Sequence, residues 1–210
     1  MTVRKRSGVL AGAINSHAAS GVTALDVDEA GLIERARRGE RAAFGALYDR
    51  YVDAIYRYVA FRVRDDDEAE DVTSEVFVKA MVALPRYEPR TAFLAWLYRI
   101  ARNEVIDRSR RASRHAEVPL GEPFAAVLPA VDESGDPEQR AAANERVRRL
   151  RGGLSRLARD QQDVLVLRFI GGLSADEISL VLKKPASTIR GIQMRGLRAL
   201  RTHLSPDDLG

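Results

Sequence analysis

Between Ala92 and Arg111 the chain reads AFLAWLYRIARNEVIDRSRR, joining aromatic residues to arginines on what the spacing predicts is one helix. At 100° per residue, Phe93, Leu94, Trp96, Leu97, Ile100, Ala101 and Val105 fill about half of the helical wheel, while Arg99, Arg102 and Arg110 gather on the other half. Glu104 and Asp107 interrupt the apolar half and are spaced to pair with Arg108 and Arg111 at i,i+4. Guanidinium forks suit phosphates and guanine edges. Trp96 sits where the two faces meet. There it is either the edge of a core or a platform for an unstacked base beside phosphate-binding arginines.

A second basic constellation lies near the end of the chain, in LARDQQDVLVLRFIGGLSADEISLVLKKPASTIRGIQMRGLRALRTHL, 157–204. A short helix over Gln161–Phe169 is expected to stop at Gly171-Gly172. Ser174 precedes Glu177 by three residues, the signature of a capping box. The apolar spacing of 175–182 predicts a two-turn helix. Pro185 breaks the chain, and Ser187 or Thr188 can cap the helix that follows. That last helix carries Arg190, Arg195, Arg198 and Arg201 with no acidic residue through Leu204. Short helix, tight turn and basic helix describe a helix-turn-helix, whose second helix enters the DNA major groove. Arg190 can bond bidentately to guanine and Gln193 to adenine. The plainer reading is a helical hairpin with a solvated basic face.

A third constellation is acidic. DDDEAEDVTSEVFVKAMVAL, 65–84, opens with carboxylates that suit a helix N-terminus. Val72, Val76 and Lys79 or Ala80 mark one side of the predicted helix, and Asp71, Ser74, Glu75 and Val78 mark another. A metal cluster of Asp65–Asp67, Glu70 and Asp71 is the weaker account of these charges. There is no cysteine, and the histidines (His17, His115, His203) are far apart in sequence. No metal, cofactor, nucleophile triad or phosphate loop is expected, and so no enzyme.

Several elements must hold these residues. With 210 residues the chain is long enough for one large domain or two small ones. Its formal net charge of +4 favours anionic partners. Residues 1–28, rich in Ala, Gly and Ser, read as a mobile tail. Helical patterning over 29–115 predicts a first domain, with a buried stripe at Phe44, Leu47, Tyr51, Ile55 and Tyr58. Residues 116–139 hold Pro119, Pro123, Pro129 and Pro137, and their charges are all acidic, which predicts a flexible linker. Helical patterning over 140–205 predicts a second domain. No alternating run argues for a strand. The expected fold is all-α, two small helical domains joined by a linker that lets each settle separately. No stretch is apolar enough to span a membrane and no signal core follows the start, so a cytoplasmic protein is expected.

Both domains together resemble bacterial sigma factors of the sigma-70 class, in the extracytoplasmic-function group. AEDVTSEVFVKA (69–80) resembles the region-2 segment that binds the clamp helices of core RNA polymerase. FLAWLYRIARNEVIDRSRR (93–111) is similar to the group's pattern for opening and reading the −10 element. LARDQQDVLVLRFIGGLSADEISLVL followed by PASTIRGIQMRGLRAL resembles region 4, which reads the −35 element. The resemblance implies polymerase binding by Asp71, Glu75 and Phe77. It implies that the loop from Tyr87 to Thr91 captures an extruded base, with Trp96, Arg99, Arg102, Asn103 and Arg110 on or near the −10 surface. It implies upstream-element contacts from Ser187, Thr188, Arg190, Gln193, Arg195 and Arg198. Partners so implied are core polymerase (clamp helices and flap region), promoter DNA and an inhibitory anti-sigma factor. The chain departs from the family at Ser74, commonly glutamine, and at Lys183-Lys184, usually a glycine and an apolar residue. Gln193 is usually apolar, and Ile192 and Leu197 are commonly basic.

Two rival functions fit parts of the sequence. A conventional regulator would bind duplex DNA through residues 174–204 and need no stable contact with polymerase. An interaction protein would dock on polymerase without directing transcription.

Overall fold

The computed structural model describes residues 24–63, 65–88, 92–115 and 137–204, with the side chains of 24–28, 112–115 and 137–144 outside that description. Among the described residues every regular element is helical. Helices α1 (Ala24–Arg37), α2 (Arg41–Ala60), α3 (Asp66–Ala83) and α4 (Phe93–His115) form the first domain. Helices α5 (Pro137–Ser155), α6 (Arg159–Leu165), α7 (Ala175–Leu182) and α8 (Ala186–His203) form the second. The all-α, two-domain expectation holds. Residues 1–23 of the expected tail and 116–136 of the expected linker lie outside the described residues, and α1 and α5 begin just inside those spans.

Local chemistry explains the boundaries. The Asp65 carboxylate accepts the Glu68 N–H at 2.7 Å and caps α3, and three further carboxylates fill the first turn. These groups offset the orphan donors and the positive end of the helix. Val72, Val76 and Ala80 are fully buried, as their spacing predicts. Along α2, Leu47, Tyr51, Ile55 and Tyr58 are buried, and Phe44 packs half-buried against them.

The second domain turns as its sequence demands. The Ser174 hydroxyl accepts the Glu177 N–H at 3.2 Å, and the Ser174 N–H donates to Glu177 at 2.7 Å. At the end of α7, Lys183 adopts φ 53°, ψ 43°, the left-handed conformation that favours glycine. The Lys183 and Lys184 N–H groups both donate to the Ser179 carbonyl. The Lys184 ammonium reaches Asp160 at 2.6 Å, pinning the turn to α6. The expected capping of the last helix by Ser187 or Thr188 is not what forms. Helix α8 starts at Ala186 with Pro185 as its cap residue and no side-chain cap bond. The proline ring fixes φ near the helical value and commits the chain one step earlier.

The two domains do not settle separately. Their apolar residues join in one core, with α4 packed on α7 and α2 packed on the segment after α6. That segment, Val166–Ile170, is a single π-helical turn, and Gly171 N–H closes it on the Val166 carbonyl at 2.9 Å. A Cβ on Gly171 would lie 2.7 Å from the Leu167 carbonyl oxygen and 3.2 Å from the Tyr98 ring of α4. Only glycine permits so close an approach between the domains.

The backbone of Lys183 yields a stability prediction. A left-handed L-residue costs about 1–2 kcal/mol, and the extra unfolded-state freedom of glycine returns about 0.5–1. Lys183→Gly therefore stabilises the chain by about 0.5–1 kcal/mol, raising Tm by roughly 1–4 °C. A thermal melt with an unchanged or lower midpoint contradicts this.

Candidate nucleic-acid interface

Helix α8 buries one face and offers the other to solvent. Ile189, Ile192 and Gly196 face the core, with the Gly196 Cα side set against Gln161 and Leu165 of α6. Ser187, Thr188, Arg190, Arg195, Arg198 and Arg201 are exposed, and Gln193 lies half-buried at the shoulder beside Arg190. This fixes the phase. Ile192, which stands where the family is commonly basic, is a core residue here. Arg190 approaches Asp176 at 3.9 Å, with both side chains well exposed, so the contact constrains it weakly. Met194 was missed by sequence reasoning. It is 67% exposed, one turn from both Arg190 and Arg198. An apolar side chain at the centre of a basic face can meet a thymine methyl. The signal was its i±4 spacing from two arginines.

The first domain treats its site residues differently. Asn103 and Arg110 are exposed on α4, and Arg99 and Arg102 are partly exposed. Trp96 is only 7% exposed. Its indole packs on Tyr87 at 4.9 Å and on Phe93 at 5.3 Å between centroids, and Tyr51 joins the cluster through Phe93 at 5.6 Å. Tyr87 is buried with it, and Thr91 lies outside the described residues. Trp96 is thus a wall of the core next to the loop, with its ring faces already occupied. Arg110 pairs loosely with Asp107 at 3.7 Å.

The acidic stripe of α3 is the third surface. Asp71, Ser74, Glu75, Val78, Met81 and Val82 are all exposed on one side of this helix, with Val82 at 74%. Phe77 is not on it. Its ring is 4% exposed and meets Tyr48 edge-on at 4.7 Å, so it is a core residue and not the surface anchor expected of it. The exposed apolar positions are Val78, Met81 and Val82, which the sequence pattern signalled only at Val78.

The carboxylates on this stripe are held from α4. Arg108 does not pair with Glu104 as its i,i+4 spacing suggested. It reaches across to Glu68 at 3.2 Å, Asp71 at 3.4 Å and Glu75 at 3.6 Å. Glu104 is buried and takes Lys79 as its partner. A hydrogen bond to Glu104 and partial desolvation push the Glu75 carboxyl above its usual range.

On the far side of α4, Arg102 donates from Nε to Asp163 of α6 at 2.8 Å, and Arg62 donates to the other oxygen of the same carboxylate. Asp163 is fully buried. Burial also pushes the neighbouring Tyr98 hydroxyl up to about 12.

Comparison with known proteins gives this arrangement a family. Residues 47–115 match Sigma-70 region 2, and residues 153–202 match Sigma-70 region 4. The ECF RNA polymerase sigma factor SigW of Bacillus subtilis is 31% identical, over 82% of this chain and 94% of its own length. SigX of the same organism is 31% identical, over 77% of this chain and 83% of its own length. BldN of Streptomyces coelicolor is 39% identical over 84% of this chain, which spans 66% of that protein. The chain belongs to the sigma-70 family, in the group of ECF sigma factors. Among solved structures, CnrH in complex with the cytosolic domain of CnrY superposes with a TM-score of 0.61 at 25% identity, over 83% of this chain and 96% of that one. The sigma factor RpoE with the anti-sigma factor NepR from Bartonella quintana gives 0.63 at 21%, over 78% and 98%, a likeness of fold.

Two expectations follow. Trp96→Ala removes a buried indole and destabilises the chain by about 3–5 kcal/mol, read by urea unfolding. A loss under 1 kcal/mol would mean that the aromatic cluster does not depend on it. In promoter selection from a randomised library, Arg190→Ala or Gln193→Ala shifts preference at the upstream element by about 1–3 kcal/mol per affected base and leaves the downstream element alone. A shift confined to the downstream element contradicts the assignment of α8.

Proposed function

We propose that this protein is a sigma factor that joins core RNA polymerase, directs it to promoters with −10 and −35 elements and starts transcription there. One observation carries this reading: region 2 and region 4 occur in order on one chain, the first with an acidic–apolar stripe and the second with an exposed basic helix. A regulator acting through α8 alone has no use for the α3 stripe. Charges on α3 aid encounter and register with a basic partner, and exposed valines supply apolar area to the contact. We assign Asp71 and Glu75, with Val78 and Val82 in place of Phe77, to polymerase docking at the clamp helices. A flap contact goes to the second domain.

The downstream element is assigned to the loop after Tyr87 and to Arg99, Arg102, Asn103 and Arg110, with Trp96 packed on Tyr87 where that loop begins. The upstream element is assigned to Ser187, Thr188, Arg190, Gln193, Arg195 and Arg198. Arginines grip the phosphates, whose charge density dominates affinity, and base edges select the sequence. Binding energy within the polymerase complex opens the strands, so the chain itself needs no catalytic group and acts as no enzyme. It works where polymerase works, in the cytoplasm. No helix among the described residues is long and apolar enough to cross a membrane. An anti-sigma factor is a fitting further partner, because the similarly folded sigma factor RpoE of Bartonella quintana is solved in complex with the anti-sigma factor NepR.

Run-off transcription with core polymerase and genomic promoter fragments, mapped by transcript 5′ ends, tests the whole reading. Discrete starts that require this protein are expected; binding to core without directed starts would favour an interaction protein. Asp71→Ala with Glu75→Ala lowers affinity for core about tenfold, equivalent to about 1.4 kcal/mol, with helicity preserved. An unchanged titration rejects the docking assignment.

A further inference from the structure

The seam between the domains carries a feature that promoter recognition as assigned above does not use. Arg62, just beyond α2, and Arg102, on α4, converge on the two oxygens of the Asp163 carboxylate. Arg62 is nearly buried, and its guanidinium stands 6.0 Å from the ring centroid of Tyr58. The Tyr58 hydroxyl is buried without a hydrogen-bond partner among the described residues. Both arginines and Tyr58 belong to the first domain, and only the carboxylate comes from the second.

We infer that Arg62 and Arg102 form an anion site that Asp163 fills in the closed chain and that a phosphate of the downstream promoter strand fills when the domains part. The inference rests on the sigma-factor reading and deepens it. It adds Arg62 as a DNA-binding residue and Asp163 as an internal competitor. A carboxylate and a phosphodiester each present two anionic oxygens to paired guanidiniums. Withdrawal of Asp163 leaves two adjacent guanidiniums without their shared counter-charge, and their mutual repulsion favours an incoming anion. Helices α2 and α4 pack on each other, and the Arg62 N–H donates to the Val59 carbonyl at the end of α2 at 2.7 Å, so both guanidiniums are anchored within the first domain. Arg102 lies one position from Asn103 and one turn from Arg99, on the part of α4 assigned to the downstream element. The closed seam therefore withholds part of that surface from DNA.

The test uses the full chain. It contains no cysteine, so fluorophores go on cysteines introduced at exposed Asp53 and Thr202. Asp163→Asn should move the labels apart and raise affinity for a single-stranded oligonucleotide bearing the downstream element about tenfold. Adding Arg62→Ala should reverse that gain and reduce the magnitude of the log–log salt slope by about 0.7, the value for one lost single-strand phosphate contact. Labels that stay together, labels that part without a gain in affinity, or an unchanged slope each overturn the inference. Should Asp163→Asn fail to fold, the holoenzyme supplies the same readout. There Arg62→Ala should make the salt dependence of promoter binding shallower and Arg62→Lys should preserve it, and equal slopes overturn the inference. Wild-type run-off transcription is measured in parallel. Its absence removes the sigma-factor reading, whereas normal transcription with a salt slope that Arg62→Ala leaves unchanged removes only the anion site.

Discussion

A carboxylate without solvent contact must have its charge answered inside the protein, and Asp163 is such a group. Its partners come from the other domain, Arg62 just beyond α2 and Arg102 on α4, so satisfying it fixes how the domains sit. The cost of desolvating an ion is several kcal/mol, and paired guanidiniums repay it only with good geometry. Gly171 supplies the rest of the fit by admitting Tyr98 where any Cβ would collide with the backbone of its own π turn. Around this ion cluster the apolar residues of the two domains close into one core. Near the rim, Arg151 of α5 lies over the Phe61 ring at 5.1 Å and lines a cavity of about 150 Å³ with Arg62 and Leu154.

Helix α4 shows how one element meets several demands. Its aromatic stripe anchors the first domain through Phe93, Trp96 and Leu97. Its arginines then divide by what they meet. Arg108 gathers the α3 carboxylates, Arg102 turns to the second domain, and Asn103 and Arg110 face solvent. One rigid rod therefore holds the α3 carboxylates through Arg108, the second domain through Arg102 and an exposed polar face through Asn103 and Arg110. This gives precise placement, because a helix packed along its length cannot rotate one site without disturbing the other.

The sequence carried the architecture a long way. Apolar spacing in α2 and α3, the acidic first turn of α3, the Ser174–Glu177 capping box and the Gly-Gly stop all depend on neighbours within a turn or two, and local chemistry decides them. At Lys183 the sequence showed only two lysines where the family usually has a glycine and an apolar residue, and the left-handed backbone there is a finding of the structure. Pairings on α4 were not legible. Glu104 with Arg108 is a good i,i+4 pair on an isolated helix, yet each found a different partner once α3 lay alongside. Phe77 and Trp96 likewise looked available until the packing of Tyr48 and Tyr87 enclosed them.

What the sequence alone determined is the set of helices, their order, the helix-turn-helix and the family to which they belong. These follow from periodicity, caps and motif spacing, which are short-range quantities. Only the tertiary structure decided which side chains remain available for a partner. It set the phase of α8 by burying Ile189, Ile192 and Gly196, and it replaced Phe77 with Val78 and Val82 on the α3 surface. It also joined Arg62 to Asp163, 101 residues apart, across a domain boundary that periodicity reads as a mere interruption. Local pattern cannot encode that pairing, because the energy of a buried ion depends on everything that excludes water around it.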